Sequence, residues 1–219
     1  MSRVASGTSE WSLDDVEHLY LDGVSWELYE HLLKVVGNRP LRLTYDNGEL
    51  EIMSPLPEHE MAKEVIADCV KVILEETRTP RVSLGSTTFR RKLKKKGLEP
   101  DSCFYIKNRS QIAGKKRIDL PQDPPPDLAI EIDVTSRSIA RLPIYAALGV
   151  PEVWRYDGKR LICLTLYSGE YGESEHSLAF PKLRPQELVQ FIGIAEKEGD
   201  QTAAIVACRS WVRRQRWVK

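Results

Sequence analysis

The chain is poor in cysteine: Cys69, Cys103, Cys163 and Cys208 stand far apart in 219 residues, with no CxxC pair and no histidine pattern beside them. That spacing argues against a zinc cluster and a disulfide scaffold and leaves four small buried hydrophobes. Net charge is missing too. The 32 lysines and arginines cancel the 32 aspartates and glutamates, so no field of one sign points to a partner. No stretch approaches the roughly 18–20 consecutive apolar residues of a membrane span, and the opening MSRVASGTSEW lacks the apolar core of a secretory signal. A soluble, cytoplasmic protein is the expectation. Several catalytic signatures are also absent. There is no GxSxG elbow, no cluster of Cys and His that would activate a thiol, and no Gly-rich phosphate loop, since VSLGST has one glycine and no Walker lysine.

What is present is enough apolar material for a sizeable core. Hydrophobic residues make up 42% of the chain, which excludes a disordered tail protein. No repeat or low-complexity linker divides it, so a single domain over 1–219 is expected, with 1–12 frayed. A helix is predicted over 25–36, where Leu28, Leu32, Leu33 and Val36 recur at helical spacing and Gly37 supplies a stop. In LRLTYDNGELEIM the Asn47-Gly48 pair suits a tight turn, with Leu41, Leu43 and Tyr45 alternating before it and Leu50 and Ile52 after it. Over 57–78 Ala62, Val65, Ile66, Cys69, Val70, Ile73 and Leu74 form a stripe of helical period.

Residues 82–89 read as a strand, RRKLKKKG as a basic turn, 98–106 as the next strand and 107–126 as a loop ending in three prolines. DLAIEIDV at 127–134 alternates as a strand buried on one face and open on the other would. A helix over 138–148 closed by Gly149, strands over 152–156 and 160–167 joined by Asp157-Gly158, the segment FPKLRPQELVQFI and an amphipathic helix over 200–214 complete the order. This is an α/β (α+β) plan: one mixed sheet flanked by helices, with an N-terminal helix and hairpin and a C-terminal helical extension.

Carboxylates on an apolar strand are costly to desolvate unless they are paired, hydrogen-bonded or bound to a cation. Glu131 and Asp133 in AIEIDV therefore need an explanation. Two positions apart, they share a face with attachment points about 7 Å apart, whereas Asp127 lies about 13 Å from Glu131, too far for both to hold one ion readily. A third carboxylate must come from another strand. Asp101 is the best candidate, because Pro100 marks a strand irregularity that could set Asp101 beside Glu131. Such oxygens suit magnesium or manganese, with waters completing the shell. The pattern leaves the alternative open that the acidic pair faces solvent on an open sheet.

These residues carry a resemblance. A carboxylate after a proline, Pro100-Asp101, a second on the next core strand, Glu131, and the order of elements resemble the PD-(D/E)XK nuclease superfamily with its restriction-endonuclease-like fold. More narrowly, the chain resembles the Uma-two family of restriction-endonuclease-like proteins. The matching stretches are Gly23-Val24-Ser25-Trp26, GELEIMSPLPEHE, LEPD, PPDLAIEIDVTS and LPIYAALGVPEVWRYD, spread over roughly residues 20–195. The resemblance implies a metal-dependent endonuclease acting on nucleic acid, DNA in the first place. It implies Asp101 and Glu131 as metal carboxylates, the backbone carbonyl of Ile132 as a further ligand, Mg2+ or Mn2+ as cofactor, and pairing into a homodimer to cut two strands. One position departs from the superfamily pattern. Two after Glu131, where lysine is usual, stands Asp133, and the residue matching a basic substitute on the next helix is Arg141. Arginine clamps a phosphate but is a poor general base. A noncatalytic binding or assembly module is therefore the competing reading, and a hydrolase of another phosphate ester a third.

The long helix adds candidates. At 100° per residue His59 falls about 50° from the centre of the apolar stripe and Glu60 nearly opposite it, so helical geometry favours His59 as the inward residue. The superfamily resemblance prefers a glutamate, Glu60 with Glu64 behind it, as a metal helper. For nucleic acid, Arg90, Arg91, Lys92, Lys94, Lys95 and Lys96 form the densest basic cluster, which a solvated, edge-protecting hairpin explains as well. A second cluster, Arg209, Arg213, Arg214, Arg216 and Lys219, is interleaved with Trp211 and Trp217. Those tryptophans suit helix docking better than base stacking.

Overall fold

A computed structural model describes residues 18–37, 39, 41–54, 57–120, 122–133 and 139–215, within which the strands divide into two sheets. The first begins with the Asn47-Gly48 turn. Both residues take positive φ, 49° and 112°, and they join β2 (Arg42–Asp46) to β3 (Glu49–Met53) with Tyr45 opposite Leu50 and Leu43 opposite Ile52. β1 (His18–Leu21) lies outside β3, and β6 (Lys96–Leu98) and β5 (Phe89–Arg91) lie beyond β2, all antiparallel. Helix α1 (Trp26–Val36) starts where Ser25 Oγ accepts the Leu28 N–H at 3.1 Å. It covers one face of this sheet, stacking Tyr29 on Tyr45 at 4.7 Å and burying Leu43 and Leu50. A Cβ at Gly97 would run into the Tyr29 ring, so only glycine lets β6 pass under α1.

The second sheet holds β4 (Val82–Ser83), β7 (Ser102–Tyr105), β8 (Leu128–Ile132), β9 (Glu152–Tyr156), β10 (Leu161–Tyr167) and β11 (Glu170–Ser174) in spatial order 11-10-9-8-7-4. Only β8 and β9 are parallel, and they are joined by a crossover helix, after the short α3 (Arg109–Ile112), that we label α4 (Arg141–Leu148). Helices α2 (Pro57–Glu76), α5 (Val189–Glu198) and α6 (Gln201–Arg214) cover one face, over Leu128, Ile130 and Ile132. α4 covers the other, over Ala129 and Val153, in a core that also takes in Phe89 and Leu98 of the first sheet. All five residues of β8 are buried. The half-open strand expected from its alternation is thus corrected: both faces are covered, and Glu131 is buried with the rest.

Two predicted strands are also corrected. Residues 82–89 split into β4 and β5, in different sheets, because Gly85 turns the chain with φ 56° and the Thr87 hydroxyl closes the turn on the Leu84 carbonyl. Residues 98–106 split into β6 and β7 around Pro100. The expected mixed sheet flanked by helices is present, beside a second sheet built on the N-terminal hairpin, and the chain passes between the two through α2, at 84–88 and at 99–101. β1 and β11, largely exposed, gave no apolar alternation to read. The frayed 1–12, position 134 of the predicted strand, the helix start at 138, and Arg216, Trp217 and Lys219 lie outside the described residues.

All four cysteines are buried and free. Trp211 meets Phe191 edge-on at 5.8 Å, so it docks α6 against α5. Arg209 and Arg213 clasp α2, the first reaching Glu75 and Glu76 at 3.1 and 2.9 Å and the second Glu76 at 3.0 Å. Among the described residues no helix is long and apolar enough to cross a membrane.

Candidate active site

The crossing at 99–101 lies at the seam of the two sheets, and polar side chains converge there from both. Past Pro100, Asp101 donates its N–H to the Ile130 carbonyl at 3.2 Å, and its Oδ2 accepts the Ile132 N–H at 2.8 Å. The carboxylate thereby stands in for a ladder acceptor at the end of β7. Since Ser102 pairs with Ile130, the next position of the antiparallel register sets Asp101 opposite Glu131. Both are buried, at 1% and 4% exposure.

Each carboxylate is met by basic side chains. His59, in the first turn of α2, faces inward with Nε2 3.3 Å from Asp101 Oδ2, and Arg42 Nε lies 4.0 Å from Oδ1. Glu131 Oε1 lies 2.9 Å from Arg141 Nη2 and accepts the Tyr145 hydroxyl, both from α4. Arg141 also donates to Thr44 Oγ1 of β2 at 3.1 Å and to the Glu99 carbonyl. Burial opposes the charge on Arg141, but Glu131, Tyr145 and Asp101 outweigh it and hold its pKa above the ordinary arginine value. Burial, then the neighbouring Glu131, pushes the Tyr145 phenol up, so it stays a donor. Burial likewise raises the Glu99 carboxyl, against the Thr88 hydroxyl at 2.5 Å and the nearby Arg42.

The remaining candidates are spread outward. Glu60 is half-exposed, with Oε1 3.7 Å from both His59 Nδ1 and Arg42 Nη2, and it bonds Lys63. Glu64 stands at the surface, 3.2 Å from Lys63. Asp133 follows β8, its N–H bonded to the Tyr156 carbonyl at 2.7 Å. Asp127, at the other end of β8, caps the chain by accepting the N–H groups of Ile106 and Asn108. The basic turn is drawn against α1: Arg90 and Lys92 lie 3.7 Å from Glu30 and Glu27, and Arg91 donates to Ala147 at the far end of α4 from Arg141. Lys94 stays exposed. The structure thus brings together Asp101, Glu131, Ile132, Arg141, His59 and, at the rim, Glu60, and does not bring Arg90, Arg91, Lys92 and Lys94 into this cluster.

Arg42, Thr44, Glu99 and Tyr145 escaped sequence reasoning. Arg42 and Thr44 alternate with Leu43 and Tyr45, a pattern that reads as a solvent face until Arg141 of α4 and Glu60 of α2 meet it. The family model described as "Putative restriction endonuclease", Uma2, matches residues 26–195. The chain belongs to the Uma2 family. The matched span of this Uma2 protein runs from α1 into α5 and contains every side chain of the seam. Among solved structures, the Uma2 chain is similar to a "putative nuclease belonging to DUF820" from Anabaena variabilis, with TM-score 0.51 and 17% identity over 74% of this chain and 97% of that one. At that identity the likeness is one of fold. No curated protein matches.

Proposed function

We propose that this Uma2 protein is a magnesium- or manganese-dependent endonuclease that hydrolyses phosphodiester bonds of nucleic acid, with DNA as substrate. The observation that carries the proposal is the placing of two buried carboxylates, Asp101 and Glu131, opposite one another at the sheet seam. The donor set fits such an ion. Carboxylate oxygens are the hard ligands magnesium prefers, and one or two of them serve where water and substrate phosphate complete the shell. Among the described residues no group of three or more His, Cys, Asp or Glu is placed to hold a metal. Asp101 and Glu131 would hold it, with the Ile132 carbonyl and Glu60 as helpers. When bound, it supplies Lewis-acid stabilisation of phosphate charge and a more acidic water.

The chain's own groups do the rest. Tyr145 and Arg141 fix Glu131 in one orientation, and the Ile132 N–H holds Asp101, with His59 in contact beside it. In the hydrolysis a water oxygen bonds to phosphorus, the bond from phosphorus to the departing sugar oxygen breaks, and the water's proton leaves while the sugar oxygen gains one. His59, beside Asp101, and Asp133, just after β8, are the proposed auxiliaries that pass those protons.

Supercoiled plasmid should be cut with Mn2+ and left intact with EDTA, and Asp101→Asn should slow cutting on the order of 10²–10³-fold, as when one preorganised electrostatic group is lost. Undiminished cutting by the variant, or cutting in EDTA, would overturn the assignment. A second reading, a noncatalytic nucleic-acid-binding module, is favoured by the Arg141 contact to Glu131 and by the missing lysine at Asp133. It predicts that the protein shifts DNA and never cuts it.

A further inference from the structure

We infer that Arg42, on β2 of the antiparallel sheet, is the side chain that grips the reacting phosphate, an inference that rests on the phosphodiesterase reading above and supplies the cation missing at Asp133. The first argument is one of commitment. Arg141, the positive group that the sequence suggests for this role, is engaged by the Thr44 hydroxyl, the Glu99 carbonyl and the Glu131 carboxylate. Turning it to a substrate would strip the buried Glu131 of its counter-charge, a heavy cost for a buried pair.

Arg42 is differently placed. Its contacts to Asp101 and Glu60 are 4.0 and 3.7 Å, beyond hydrogen-bonding distance, and its buried Nε donates to nothing. A buried donor left unsatisfied is destabilising, and a phosphate, with acceptor oxygens matched to the guanidinium fork, would satisfy it.

The second argument is access. Side chains of Asp101, His59, Glu131 and Arg141 are 0–7% exposed, whereas Arg42 is 11%, Lys63 12%, Glu60 37% and Glu64 46%. The least buried side chains of the cluster are thus those on and beside α2, and Arg42 stands nearer to them than Arg141 does, in contact with Glu60. Lys63, the other cation there, is held by Glu60 and Glu64. Always charged, Arg42 serves by stabilising the nonbridging oxygens rather than by moving a proton.

The test separates binding from cutting. Affinity for a labelled DNA duplex is measured in EDTA across a salt series, and kcat is measured in Mn2+. Arg42→Gln should lower the salt slope by about 0.9, the loss of one phosphate contact, and lower kcat on the order of 10²-fold. Arg42→Lys should keep the slope and recover part of kcat, and Arg141→Gln should keep the wild-type slope. A wild-type slope in Arg42→Gln, or a slope lost in Arg141→Gln instead, overturns the inference. If Asp101→Asn abolishes cutting while Arg42→Gln changes neither slope nor kcat, the endonuclease reading stands and the Arg42 assignment falls. If wild-type protein cuts nothing but Arg42→Gln still loses slope, the nuclease reading falls and Arg42 remains a phosphate contact. If wild-type protein binds no nucleic acid, both fall.

Discussion

A glutamate at position 131 survives inside a strand covered on both faces because Arg141 and Tyr145 reach it from one turn of the crossover helix. Removing the cation should be costly in proportion. Arg141→Gln is expected to lose about 3–5 kcal/mol, a fall in Tm of roughly ten degrees for a chain of this size. The double variant with Glu131→Gln should recover most of that loss. Thermal denaturation of the four-member cycle decides it, and an unrecovered double variant would place the cost elsewhere. The position of Glu131 was legible in the sequence because charge on an apolar strand is anomalous, and that of Asp101 because Pro100 marks an irregularity beside it. Arg42, Thr44 and Tyr145 were not, because a polar residue alternating with leucine, or a tyrosine on an apolar helix, has an ordinary explanation in one dimension. Their role depends on the facing layer.

Elements whose pattern is local were readable: the α1 helix with its Ser25 cap, the Asn47-Gly48 hairpin, the apolar stripe of α2 and the crossover helix closed by Gly149. Where the chain changes sheets, at Gly85 and Pro100, the apolar run continues through the break, and only the pairing partners reveal that one strand has become two. The C-terminal arginines show the same limit. Read as a basic patch, they are in part a clasp between α6 and α2, in which Arg213 and Arg209 hold the Glu76 carboxyl, and Arg209 and Arg81 that of Glu75, below the usual range. For carboxyls with depressed values the contribution is complete above the unfolded pKa near 4.5 and fades as pH falls through the folded one. Amides of α6 should therefore exchange faster as pH drops below that range, once intrinsic exchange rates are corrected for. In the variant carrying Arg209→Ala and Arg213→Ala they should show no such step. The pairs are exposed, so the effect on global stability should be small.

At the scale of the whole molecule, stability is graded from the centre of the second sheet outward. β8 and β9 are covered by helices on both sides, whereas β1 and β11 are edges with little buried surface. Hydrogen exchange should follow that order, with residues 128–132 and 153–156 protected longest and 18–21 and 170–174 released first. Early exchange across 128–132 would contradict the layered core. The site sits on the boundary between these regimes, since one sheet delivers Arg42 and Thr44 and the other Asp101 and Glu131.

The chain passes between its sheets three times, once through α2 and twice through the short segments 84–88 and 99–101, and Asp101 lies on the last of these. Because Arg42 belongs to one sheet and Asp101 to the connection into the other, the 4.0 Å between them is set by how the two sheets are held together rather than by either sheet alone.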